Sequence, residues 1–248
     1  MRKLIAIVLV LAVMFALAAC SGGASGDTVT IYIPEKMEAY QADGTLYATI
    51  TYNYEDGWRN KDSFKVEMLS TVSEMGSAAV TYTAEKTIQD VGNGAKLEVY
   101  YNNAGVTTKS VNIYADGRKQ ETVYTLDSLG RVVKEELKLY ESADANPTVT
   151  TRNYTYTDTD TGSTCTYTED SITYIKNFDK NGRQIAQILQ ASGSEMSRTE
   201  ITYDSVGNPI SQTSYVGSQK STEMRFIYKT VKVSAEFVAR FPQFKQAK

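Results

Sequence analysis

Twenty-nine carboxylates and not one histidine set the chemistry open to this 248-residue chain. Without an imidazole the commonest general base is missing, and with it the Ser-His and Cys-His pairs and nearly every zinc site. Carboxylate catalysis of the glycosidase kind and a Ser-Lys pair remain open. Either would have to be assembled from side chains distant in sequence, and no motif marks which ones. One segment imitates a calcium loop: from Asp158 to Glu169 it places Asp158, Asp160 and Glu169 at positions one, three and twelve, and hard oxygen ligands at that spacing suit Ca²⁺. Its glycine, Gly162, is fifth where the sharp bend needs it sixth, and its flanks read as strands, so a polar hairpin is the better reading. No catalytic residue, metal or cofactor is expected.

Cys20 is the residue whose surroundings specify a reaction. It follows a leader with Arg2 and Lys3 at its start, an apolar run from Leu4 to Leu17, and the small residues Ala18 and Ala19. Such a leader is an export signal, and its apolar run is shorter than the roughly 20 residues that span a bilayer. The sequence Leu17-Ala18-Ala19-Cys20 resembles the lipobox of bacterial lipoprotein precursors. That resemblance implies a signal peptide over residues 1–19, cleavage before Cys20, a diacylglycerol on its thiol and acylation of the new amine. Two or three acyl chains, at roughly 0.8 kcal/mol per buried methylene, anchor a protein far more firmly than one. The expected location is the cell envelope, with a folded extracytoplasmic domain held to a membrane at Cys20.

Beyond the leader 24 of the 26 basic side chains remain, without Arg2 and Lys3, against 29 acidic ones, a net charge of about −5. A mildly acidic chain with no Lys/Arg block lacks the electrostatic footprint of a nucleic-acid binder. With Cys20 lipidated, Cys165 has no disulfide partner within the chain and reads as an inert, partly buried residue. Residues 20–27, rich in glycine and serine, form a flexible tether of at most about 25 Å.

From Thr28 the apolar period is two. Val29, Ile31 and Ile33 alternate with polar positions, as do Leu46, Ala48 and Ile50, and Phe64, Val66 and Met68. Further runs lie near 78–84, 95–101, 107–114, 118–126, 131–140, 148–157, 164–177, 183–190, 197–203, 209–216 and 221–233. Turn residues such as Asp43-Gly44, Asp56-Gly57 and Asp116-Gly117 separate them, and short loops between alternating strands join antiparallel neighbours. The fold class is therefore all-β: an antiparallel β-meander over 28–233, curved into an open sheet, a sandwich or a partial barrel. A short helix and tail follow over 234–248, where Ser234 can cap and Phe237, Val238 and Phe241 share a stripe.

Three turns share one pattern of an apolar residue, Asp, two variable residues, Gly, and then Arg or Asn. They carry Asp127 and Gly130, Asp179 and Gly182, and Asp204 and Gly207. The aspartate accepts from the turn's own backbone while the glycine supplies positive φ. The pattern resembles the tyrosine-aspartate (YD) repeats of the bacterial RHS family, and Tyr114 to Arg118 and Tyr54 to Trp58 look like shortened relatives. The resemblance implies hairpin geometry and an association with cell-surface proteins. Irregular spacing and the small size of the chain depart from the large cocoons those repeats build, so no toxin-processing role is implied.

All 18 tyrosines lie beyond the leader. On a sheet with one wet face, tyrosine rings pair across strands or offer a surface for sugar rings and apolar ligands. Tyr52, Tyr54 and Trp58, and Tyr154, Tyr156 and Tyr167, are the candidate ligand-facing aromatics. The expected function is a membrane-anchored, non-catalytic binding or structural module with a glycan or a surface protein as partner. Carriage of an apolar, lipid-like ligand in a curved sheet is the alternative.

Overall fold

The computed structural model describes residues 28–72, 77–92, 94–142 and 145–244. The leader, Cys20 and the tether lie outside the described residues, as do residues 245–248 of the tail.

Among the described residues, alternating apolar residues and short turns yield seventeen strands and one helix. The first nine are β1 (Thr28–Gln41), β2 (Leu46–Tyr54), β3 (Phe64–Ser70), β4 (Ser77–Tyr82), β5 (Lys86–Gly92), β6 (Ala95–Tyr101), β7 (Thr107–Ile113), β8 (Lys119–Leu126) and β9 (Val132–Tyr140). Then come β10 (Thr148–Asn153), β11 (Tyr156–Thr159), β12 (Gly162–Glu169), β13 (Ile172–Asp179), β14 (Gln184–Ala191), β15 (Ser194–Tyr203), β16 (Pro209–Val216) and β17 (Gln219–Ser234). The helix α1 (Ala235–Arg240) closes the chain with a single 3₁₀ turn, Pro242–Phe244. Ser234 caps α1 by accepting from the Phe237 amide at 3.0 Å.

Every strand pairs antiparallel with its sequence neighbours except at one point. β1 also pairs with β17, from Thr28 opposite Ser234 to Gln41 opposite Thr222. β10 pairs with β9 and β11 with β12, but β10 and β11 do not pair with each other. These two are the ends of the ladder, yet only Tyr154 and Thr155 separate them in the chain. The sheet therefore curls until its ends meet, and it remains open at that seam. The architecture is the expected curved open sheet rather than a two-sheet sandwich.

Three readings of the strands need correction, the first being that Lys86–Gly92, unmarked by the alternation, is a strand. The run 164–177 is two strands, because Asp170 and Ser171 take positive φ, 49° and 67°, and close a tight turn without glycine. The run 148–157 divides at Tyr154, where pairing passes from β9 to β12.

Paired residues share a face, so the register traces each surface around the sheet. One row runs Phe64, Tyr82, Thr87, Val99, Ser110, Thr122, Leu137. In the other direction, Thr222 of β17 leads through Ser214, Thr199 and Gln187 to Lys176. Thr222 shares its face with the core residues Met224 and Phe226, two and four positions on. The concave face is thus apolar across β1 to β4 and β17, then mixes Thr, Ser, Gln and Tyr with isolated apolar residues such as Val99 and Leu137. α1 and the turn after it fill the apolar part. Phe237, Phe241 and Phe244 pack on Trp58, Phe64 and Tyr82, with the Phe64 and Phe241 centroids 5.3 Å apart and those of Trp58 and Phe237 also 5.3 Å. The convex face carries ion pairs, among them Lys86 with Glu98 at 2.8 Å and Lys138 with Glu136 at 3.2 Å.

Candidate functional site

Antiparallel order sends successive turns to opposite ends, and this sorts the Asp-x-x-Gly turns. The three full copies lie at the end that also holds Thr28 and α1, whereas Tyr114 to Arg118 lies at the other. Asp127 Oδ1 accepts from the Leu129 and Arg131 amides, both at 2.9 Å, and its Oδ2 accepts from Arg131 Nε at 2.7 Å. Asp179 repeats this with Asn181 and Arg183, and Asp204 with Val206 and Asn208. Gly130, Gly182 and Gly207 have φ of 80°, 76° and 97°. These bonds to the charged form hold the Asp127 and Asp179 carboxyls below their ordinary range, outweighing partial burial, which pushes them up.

A tyrosine from a later strand then fastens each turn. Tyr156 donates to the Val132 carbonyl at 3.0 Å and lies under the Arg131 guanidinium, 4.3 Å from its ring. Tyr203 does the same for Gln184 and Arg183, and Tyr228 donates to Pro209. Several tyrosines are therefore structural clasps between neighbouring hairpins.

The first aromatic group lies beside the helix. Tyr52 and Trp58 are only 7% and 8% exposed, so these rings belong to the core and are not the exposed platform the sequence suggested. The cause is α1, whose Phe237 meets Trp58 edge-on. Burial raises the Tyr52 and Tyr54 hydroxyls well above the ordinary tyrosine range. Their outer edges, with exposed Asn53, Asp56, Arg59 and Lys229, nonetheless line an open polar cleft of about 510 Å³. Tyr54 donates to the Pro34 carbonyl at 3.0 Å, and Lys229 sits 5.5 Å from its ring.

The second group marks the seam. Tyr154 is 8% exposed, meets Tyr167 edge-on at 5.0 Å, and donates to Glu135 of β9. Arg152 bridges the unpaired ladder ends, holding Glu135 at 3.2 Å on one side and Glu169 of β12 on the other. Tyr167 stacks on Tyr174 at 4.8 Å, with planes 3° apart. Lys176 Nζ stands 5.4 Å from the rings of both Tyr154 and Tyr167. Burial lowers the Lys176 pKa, pushes the Tyr167 hydroxyl up to about 12 and raises the Cys165 thiol, which is fully buried opposite Lys176. Lys176, Glu135 and Arg152 were not among the candidates from sequence. The one available signal is that Lys176 occurs in phase with Tyr174 and Phe178, at an inward position of its strand.

The calcium-loop spacing does not survive folding. Asp158 pairs with Arg131 at 2.5 Å near the tight turn, while Glu169 is at the far end of β12, seven residues or about 23 Å from Gly162. An extended strand cannot bring these carboxylates to one ion. Among the described residues no cluster of three metal-ligating side chains occurs.

No family model and no curated protein matches the chain. Among solved structures it is similar to a porin-like protein from Bacteroides uniformis, at 13% identity and a TM-score of 0.43 over 81% of this chain and 96% of that one. It is also similar to a Bacteroides fragilis protein described as exported with a YmcC-like fold, at 9% identity and a TM-score of 0.27 over 86% and 100%. A third is a Vibrio parahaemolyticus domain named for outer membrane lipoprotein sorting, at 11% identity and 0.29 over 87% and 92%. None reaches a TM-score of 0.5, so this chain's own residues carry the functional reading.

Proposed function

We propose that the protein is an envelope lipoprotein held to a membrane through Cys20, and that its curved sheet is a non-catalytic module binding a glycan in the cleft beside Tyr54 and Lys229. The observation that carries the reading is the cleft itself: an open, polar depression with aromatic edges and charges of both signs. Sugars are bound through ring faces and many hydrogen bonds, and this lining offers both. The ion-paired convex face also fits a domain bathed in water rather than one inserted in hydrocarbon, where a spanning barrel presents an apolar band. Carriage of an apolar ligand is less well supported, because beyond the helix the concave face interrupts Val99, Leu137 and Leu189 with Thr, Ser, Gln, Tyr and Lys side chains. As for catalysis, Glu135 and Glu169, the carboxylates at the seam, are both engaged by Arg152.

Two measurements test the reading. Cys20→Ser should move the protein from the membrane to the soluble fraction or leave its leader uncleaved; a variant that is processed and stays membrane-bound refutes the anchor. On a glycan array the full-length protein should bind, and Asn53→Ala with Lys229→Ala should weaken the binding about tenfold or more, a loss of about 1.4 kcal/mol. A blank array, or binding indifferent to both changes, removes the glycan.

A further inference from the structure

The concave face is filled by the phenylalanine-rich terminus across one part and is more polar across the other, where a half-buried lysine stands. Lys176 has no ion pair and no hydrogen bond to protein among the described residues; its ammonium lies over the rings of Tyr154 and Tyr167. The nearby carboxylate, Glu135, is already taken by Arg152 and the Tyr154 hydroxyl. The attraction of Glu135, opposed by Arg152, does not outweigh the burial of Lys176, and a cation partly withdrawn from water with no carboxylate in direct contact is costly. Around it the hydroxyls of Tyr167 and Tyr174 and the amide of Gln187 share the concave face. Leu137, Ile172 and Leu189 on the same face are half-buried and leave some apolar surface exposed beside it.

We infer that Lys176 anchors a second binding site, separate from the cleft at Lys229, for the carboxylate group of a small ligand. The ammonium would supply the missing ion pair, the Tyr167 and Tyr174 hydroxyls would donate to the carboxylate oxygens, and the body of the ligand would lie along Leu137 and Leu189. A uronic acid sugar and a fatty acid both carry that headgroup. The inference stands apart from the glycan reading, because its residues and its test are different.

The experiment uses detergent-solubilised full-length protein and measures Kd by calorimetry for glucuronate and octanoate, with glucose and octanol as uncharged counterparts. At least one carboxylate should bind about tenfold or more tighter than its uncharged counterpart. Lys176→Met should abolish that preference, Lys176→Arg should keep it, and Lys229→Ala should leave it unchanged. Binding by glucuronate alone assigns a sugar acid, by octanoate alone an alkyl acid, and by both a bare carboxylate site. Lys176→Met should fold, since it removes an uncompensated charge and keeps the length; Lys176→Gln repeats the comparison with a polar, uncharged side chain. No carboxylate preference, a preference that survives Lys176→Met and Lys176→Gln, or one lost on Lys229→Ala would each overturn the inference.

Discussion

Gly162 opens β12 opposite Thr159 on one side and Asp179 on the other, and its φ is not in the left-handed region. A methyl group there would meet the Phe178 carbonyl oxygen at 2.0 Å, the Phe178 carbonyl carbon at 3.0 Å and that of Asp179 at 3.2 Å. All three are backbone atoms of the paired strand, so no side chain can swing away. β12 and β13 must part by about 1 Å or more before the contact is tolerable. That separation breaks about two ladder hydrogen bonds at roughly 1 kcal/mol each and adds an overpacking cost of about 1–3 kcal/mol. Gly162→Ala should therefore lose about 3–5 kcal/mol. Gly193→Ala is the control, with φ of 78° and nothing within 4 Å of the new methyl; it should lose only the left-handed penalty of about 1–2 kcal/mol. Urea unfolding of both variants with unchanged m-values makes the comparison. Cys165, buried three residues along β12, gives a second readout, because a loosened strand should let thiol reagents reach it faster than in the parent. Equal losses for the two variants, or a larger loss at Gly193, would refute the reasoning.

Phe241→Ala should cost about 3–5 kcal/mol in denaturant unfolding, since its ring is fully buried against Phe64, Phe237 and Phe244 and the hole it leaves is walled by rigid rings; a loss under about 1 kcal/mol would mean the terminus does not fill the sheet. The Asp179 carboxyl has a lowered pKa, so its contribution is complete above the unfolded value, near pH 4, and fades as pH falls through the folded value below it. Asp179→Asn should be less stable at neutral pH, and its deficit should shrink between about pH 4 and pH 2; a deficit that is constant with pH would contradict the charge-assisted clasp.

How legible the molecule was depends on the range of each interaction. The turns at Asp127, Asp179 and Asp204 could be read because aspartate, glycine and the following arginine or asparagine satisfy one another within five residues. The cap at Ser234 is local in the same way. The turn at Asp170 and Ser171 could not be read, because residues that usually stay at negative φ take positive values there, under the pull of ladders on both sides. Trp58 looked like a surface aromatic because its partner, Phe237, lies far along the chain. Lys176 is hard to read from sequence because its neighbours Tyr154, Tyr167 and Glu135 come from the link between β10 and β11, from β12 and from β9. They meet only because the two ends of the sheet arrive side by side.

The distribution of phenylalanine shows that aromatic filler is confined to one part of the concave face. Six of the seven lie beyond the leader, and five of those, Phe64, Phe226, Phe237, Phe241 and Phe244, join a single cluster at β1 to β4 and β17. A sheet needs apolar filler wherever its inner face is apolar, and the three residues from the terminus suffice for this part alone. Around the rest of the curve the inner face needs none. Thr87, Ser110 and Thr122 hold the inner row, and two of them bond to inward tyrosines, Thr87 to Tyr101 and Ser110 to Tyr124. Such a face can be buried without aromatic filler because two of its hydroxyls are satisfied in place. Lys176 departs from that rule, being inward, partly buried and, among the described residues, without a hydrogen bond or ion pair. A chain selected only to hold its fold would gain stability by placing an apolar residue there, so the lysine is best explained by a negatively charged group that the folded protein receives from outside.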